Sequence, residues 1–233
     1  GVIARNKRYN ASYIISNADY AHTELRLLDE EHRTYENDGT DYKCNTSSAF
    51  IMYFGVKGTV KKLKHHTFIM ANDWDDHFSD IFADTSWPKE PMIYITASSK
   101  TDPSVAPKGC ETLRVYVPIS ACIKDTPEAR AAFKEKVIQH IEDVTGEEIR
   151  SRLAIDRVFT LKDYQRLYNS HRGGDLGFTT KQFNTGFLQP NNKSMKVRNL
   201  FYAGQDSLPG IGMGLAIISA ELATMRVMES EKE

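Results

Sequence analysis

"NLFYAGQDSLPGIGMGLAIISAELA", Asn199 to Ala223, is a short apolar strand followed by a glycine-bearing turn and a long apolar helix. Gly210, Gly212 and Gly214 fall at alternate positions where that helix should begin. A glycine inside a helix costs about 1 kcal/mol relative to alanine, so three of them need a reason. The first N–H groups of a helix have no internal partner and the macrodipole favours negative charge there, so a bare turn at that point can receive an anion. Alternatively, glycines let a helix pack closely on its sheet. Spacing alone leaves both readings open, because a lone glycine cluster is a weak signal.

Moving toward the N-terminus, "HRGGDLGFTTKQFNTGFLQPNNKSMKVR" (171–198) is a long irregular stretch of the kind that often carries function. "LAIDRVFT" before it suggests a strand and "LKDYQRLYN" a short helix. Asp125 to Thr145 is the clearest helix. Asp125 and Glu128 match a capping box, Pro127 falls in the first turn, and Gly146 ends it. Phe133, Val137, Ile141 and Val144 should line its buried face. Further upstream, "SSAFIMYFGVKG" is an apolar, aromatic-rich strand and "HHTFIMAND" reads as its neighbour. "DWDDHFSDIFAD" reads as a helix, and "PMIYITASSKTDPSVAPKG" with "ETLRVYVPIS" as two strands about a proline-containing loop. "ASYIISNADYAHTELRLLD" gives a strand from Tyr13 and a helix from about Asp19.

Strands thus cluster in the middle, while both ends read as strand then helix. The expected fold class is α/β, or α+β for the whole: a mixed-sheet domain inserted into pieces of a Rossmann-like domain. Residues 1–30 and 196–233 would form those pieces, and 31–195 the sheet domain. Leu215, Ile218, Leu222 and Met225 should form the apolar face of the last helix.

The 233 residues carry a net charge of −1 with both signs interspersed, which offers no basic field for nucleic acid. Cys44, Cys110 and Cys122 form no CxxC pair, so free thiols in a reducing compartment are expected. "GVIARNKRYN" lacks a signal peptide's apolar core. With no apolar run long enough to span a bilayer, a cytoplasmic protein whose membrane contact is peripheral is expected. The sequons at Asn10, Asn45 and Asn192 are then read as chance.

From Asn199 onward the chain resembles the C-terminal flavin signature of the phytoene desaturase family of carotenoid oxidoreductases. "YIISNADYAHTELRLL", "SSAFIMYFGVKG", "SKTDPSVAPKGCETLRVYVPI", "RLYNSHRGGDLGF" and "TGFLQPNNKSMKVRNLFYAGQ" resemble family segments in the same order. The resemblance implies FAD as cofactor. Gly204, Gln205 and Asp206 would form the turn, and Gly210, Ile211, Gly212, Met213 and Gly214 the start of the helix beneath the ribityl and pyrophosphate portion. Asp206 could bond ribityl hydroxyls or simply cap. The substrate would be a long apolar polyene such as phytoene, losing two hydrogens from a saturated carbon–carbon bond. An isomerase or saturase, an amine-oxidase-like enzyme and a non-catalytic lipid-binding module are the rivals. One departure is large: no GxGxxG unit is present, and Gly173, Gly174 and Gly177 follow no expected strand. The chain therefore resembles the C-terminal portion of a longer enzyme.

No residue stands out as a catalytic base. Arg172, with His171 beside it, is the candidate for facing the substrate, since a guanidinium stays charged in any surroundings. His65 and His66 should point to opposite faces of a strand, and Asp73 with His77 supplies only two ligands, so no metal is expected. No GxSxG elbow supports hydrolysis. Tyr53, Phe54, Phe68, Tyr94 and Tyr116 read mainly as sheet core, though the resemblance implies that some line an apolar tunnel.

Overall fold

The computed structural model describes residues 1–34, 47–175 and 189–232. The chain divides into two compact units, Gly1–Thr46 with Gln165–Glu233, and Ser47–Tyr164. The unit holding both termini therefore takes in residues that the composition had placed in the middle domain.

In that first unit, β1 (Val2–Ala4) and β2 (Lys7–Tyr9) form a hairpin whose turn residues Arg5 and Asn6 both have positive φ. β3 (Ile14–Ser16) leads into α1 (Tyr20–His22), which widens into a π-helical turn over Thr23–Leu27.

The second unit is built on a sheet of β4 (Ser47–Lys57), β5 (His66–Ile69), β6 (Ile93–Thr96), β7 (Cys110–Ser120) and β8 (Leu153–Phe159). Its order is β5-β6-β7-β4-β8, and every pair is antiparallel, where a mixed sheet was expected. β5 lies at the edge against β6 and is not the neighbour of β4. One face buries Phe50, Met52, Phe54, Val115 and Val117. Phe50, Trp87 and Phe133 interlock there, with ring centroids 4.7–5.7 Å apart.

Three helices follow in chain order among these strands and after them: α2 (Trp74–Phe82), α3 (Pro127–Thr145) and α4 (Leu161–Tyr168). α3 buries Phe133, Val137, Ile138 and Ile141, while Val144, expected inside, is exposed. Its N-cap is Thr126, whose hydroxyl accepts from the Ala129 N–H, one residue beyond the expected Asp125. Asp125 is engaged instead by Arg130 and the Thr160 hydroxyl. Burial pushes its carboxyl up, but those hydrogen bonds and the guanidinium charge outweigh it and the net shift is downward. Cys110 is free and Cys122 is disulfide-bonded, which corrects the expectation of free thiols throughout.

The first unit closes with β9 (Leu200–Tyr202) and α5 (Met213–Ser230). β9 pairs parallel with β3, Ile14 opposite Leu200, so two strand-then-helix pieces lie side by side. Tyr20, Leu200 and Tyr202 form the small core here, with Ile14, Leu28 and Val197 against it. Among the described residues no helix is long and apolar enough to cross a membrane.

Candidate functional site

β9 ends at a turn that several distant segments hold in place. The Ala203 N–H donates to Ser16 O at 3.0 Å, and Asn17 Nδ2 donates to Ala203 O at 2.8 Å. The Gly204 N–H donates to Ser219 Oγ on α5 at 3.1 Å. Asp206 Oδ2 accepts from the Tyr20 N–H at 3.1 Å, so this carboxylate caps α1, one of the two roles expected for it. Gln205 Nε2 donates to Asp175 O at 3.3 Å. Asp19 joins the third segment: Oδ1 accepts from the His22 N–H and Oδ2 from the His171 N–H, at 2.8 and 2.9 Å. "SNAD", "HRGGD" and "AGQD", far apart in the chain, therefore meet at one turn.

Beneath the turn lies a buried polar hub. Asn192 Nδ2 lies 3.0–3.1 Å from Leu208 O, Ser219 Oγ and Tyr202 O. Asn192 and Ser219 are both fully enclosed, so the Asn192 sequon is closed to modification in the fold. Nearby, the Tyr202 hydroxyl donates to the buried Glu24 carboxylate, and burial followed by that carboxylate pushes the phenol pKa up.

The glycines divide into two kinds. A Cβ on Gly210 would lie 2.9 Å from the Gln189 side chain, so close packing already accounts for it. Gly212, the N-cap of α5, has φ 120° and ψ 152°, a conformation essentially restricted to glycine. Cβ atoms on Gly212 and Gly214 would meet nothing within 4 Å among the described residues. Among the described residues no side chain caps α5, its first turn holds no acid, and Met213 is 87% exposed. The first helical bond runs from the Ala216 N–H to Gly212 O, so the N–H groups before it lack helical partners. An uncapped, glycine-lined helix start suits the pyrophosphate or ribityl oxygens of a dinucleotide.

Arg172 is placed elsewhere. It has φ 56° and lines a polar cavity with Arg26 and Arg33. The structure also resolves the histidines and the aromatics. His65 and His66 rings lie 4.3 Å apart, because His65 precedes β5 and is free of its alternation. His66 Nδ1 bonds the Tyr94 hydroxyl at 2.8 Å, and Asp73 caps α2. Phe54 is core, but Tyr53 and Phe68 are exposed. Strand register sets Phe68, Tyr94, Tyr116, Ile51 and Phe159 in one row across all five strands. The rings of Phe68 and Tyr94 stack at 4.4 Å. Four inter-strand steps give that row a length of about 19 Å.

Comparison with known proteins adds a decisive finding. Over 216 residues the chain is 41% identical to a carotenoid 3,4-desaturase of Haloarcula japonica, taking in 93% of this chain and 44% of that relative. Over 225 residues it is 30% identical to a zeta-carotene-forming phytoene desaturase of Myxococcus xanthus, 94% of this chain and 42% of the relative. Along nearly its whole length the chain is thus similar to carotenoid desaturases. The chain spans under half the length of the curated relatives it matches. No family model matches it. An oxidoreductase from Methanosarcina mazei shares the fold, with a TM-score of 0.51 at 16% identity over 97% of this chain and 45% of that one.

The sequence alone located the turn and the helix start but missed their supports. Asp19, Asn17, Asn192 and Ser219 act through hydrogen bonds to residues outside their own elements, and no local pattern announces such bonds. The signal available was "SNAD", whose short polar side chains follow an apolar strand. Leu176 and Gly177 of the long stretch lie outside the described residues.

Proposed function

We propose that this chain carries the flavin-facing turn of an FAD-dependent carotenoid desaturase whose substrate is a long apolar polyene such as phytoene. The uncapped start of α5, open at Gly214, is the observation that carries the reading. Met213, Gly214 and Leu215 N–H groups would bond cofactor oxygens, and Gly204 to Asp206 would hold the turn beside them. When bound, FAD would supply the two-electron oxidising capacity: a saturated carbon–carbon bond becomes double by loss of a hydride to the flavin and of a proton from the adjacent carbon to water.

The chain's own residues bind, orient and exclude water. The row from Phe68 to Phe159 supports an extended hydrocarbon: it is apolar or aromatic throughout, and its length suits a polyene lying across the strands. A substrate without polar groups offers nothing to hydrogen-bond, so shape and apolar area must align it. The substrate is dissolved in lipid, so peripheral membrane contact by the whole enzyme follows from this reading.

Gly214→Leu tests the proposal. Gly214 is helical with ordinary φ, so leucine there improves helix propensity by about 1 kcal/mol. The variant protein, made as its gene encodes it, should unfold no earlier than wild type, bind FAD at least tenfold more weakly and desaturate phytoene more slowly at limiting FAD. A stable variant with unchanged FAD affinity would return Gly214 to the scaffold.

A further inference from the structure

A cavity of about 610 Å³ opens in the unit that holds both termini. His22, Arg26 and Arg33 line it from the early segment, and Asn169, His171 and Arg172 from the later one. Three guanidiniums and two imidazoles therefore face one space. Two acids stand close by. Asp19 is occupied by the N–H groups of His22 and His171, and Glu30 lies 3.7 Å from Arg33. Arg33 Nε also donates to Leu28 O at 3.0 Å. Arg26 and Arg172 have no ion pair or side-chain hydrogen bond among the described residues.

The backbone is unusual on both walls. Arg26 sits in the π-helical turn, a distortion found mostly at functional sites. Asn169 and Arg172 both take positive φ, and for arginine that conformation is strained. A hydrocarbon has no acceptor for these donors, and guanidiniums facing it would lose hydration without return. Charged forks arriving from separate segments match an oxyanion with oxygens directed several ways.

We propose that this cavity binds a phosphate-bearing anion and is a site separate from both the polyene and the α5 start. Arg26 and Arg172 supply the free guanidiniums, and Arg33, held by Leu28 O and Glu30, forms the fixed wall. The phosphate belongs to a soluble ligand or to the headgroup of an anionic lipid.

Titration calorimetry with inorganic pyrophosphate tests this on the protein as its gene encodes it. Wild type and the control Arg157→Gln, on β8 and not among the residues lining the cavity, should show the same saturable binding. Arg26→Gln and Arg172→Gly should each weaken it at least tenfold. Arg172→Gly removes the guanidinium at a position where glycine is relaxed, so it should fold no less stably than wild type. Vesicles separate the sources. Arg26-dependent flotation with phosphatidylglycerol but not phosphatidylcholine assigns a lipid headgroup; pyrophosphate binding without such flotation assigns a soluble phosphate. Arg172→Gly should leave FAD affinity unchanged, so the flavin reading and this one can fail separately. Absence of saturable binding, unchanged binding in both cavity variants, or equal weakening in Arg157→Gln would overturn the proposal.

Discussion

α3 and α5 are of nearly equal length, 19 and 18 residues, and they meet opposite fates. α3 buries five side chains, including Phe133, Val137, Ile138 and Ile141. α5 is the more apolar helix, yet it buries only Ser219 and Ala223 and leaves Leu215, Ile217, Ile218, Met225 and Met228 exposed. The face expected inside, Leu215 to Met225, is therefore largely outside. Hydrophobic packing holds the sheet unit. Side-chain hydrogen bonds to backbone, made by Asn17, Asp19, Asn192 and Ser219, hold the turn unit. An exposed apolar stripe of this kind marks a contact surface.

Substitutions should separate these two modes. Phe50→Ala removes the ring that contacts both Trp87 and Phe133 and should cost the sheet unit about 3–5 kcal/mol in denaturant unfolding. A loss below about 1 kcal/mol would mean that the sheet unit is not packed as described. Asn192→Ala should cost about 2 kcal/mol, because buried acceptors around the hub are left unpaired. Faster amide exchange should appear at the 203–214 turn and not in β7. If exchange accelerates equally in both units, they are not energetically distinct.

Asp125→Asn should have the smallest effect, about 1 kcal/mol, and it should depend on pH. The folded-state pKa of Asp125 is lowered from 3.8, so its contribution is present above that value and is lost as pH falls through the folded pKa. The gap between wild type and variant should be constant near neutrality and close below about pH 3.8. A gap that persists in acid would remove the charge from the explanation.

How much could be read in advance follows the same division. β4, α2, α3 and the β9–turn–α5 sequence were legible because each carries its own periodicity or stop signal, such as Gly146 with φ 68°. The sheet order was not, since pairing β5 with β6 and β7 with β4 is a long-range choice that no local alternation encodes. The cap at Thr126 differs from expectation because Asp125 is drawn to Arg130 and Thr160, the latter 35 residues away. The β1–β2 hairpin was missed because Arg5 and Asn6 are not the usual glycine pair. At the candidate site the glycines were visible, but which of them face open space depends on Gln189. The basic cavity was reachable only through Arg172, because Arg26 and Arg33 come from the other end of the chain.

Amide hydrogen exchange, recorded on the protein as its gene encodes it with and without saturating FAD, tests the central claim most directly. The amides of Met213, Gly214 and Leu215 precede the first helical hydrogen bond and should exchange quickly in the apo protein. With FAD they should slow at least tenfold, while β7 amides stay unchanged. FAD bound at saturation with those three amides exchanging at their apo rates would contradict the assignment of the α5 start as the flavin site.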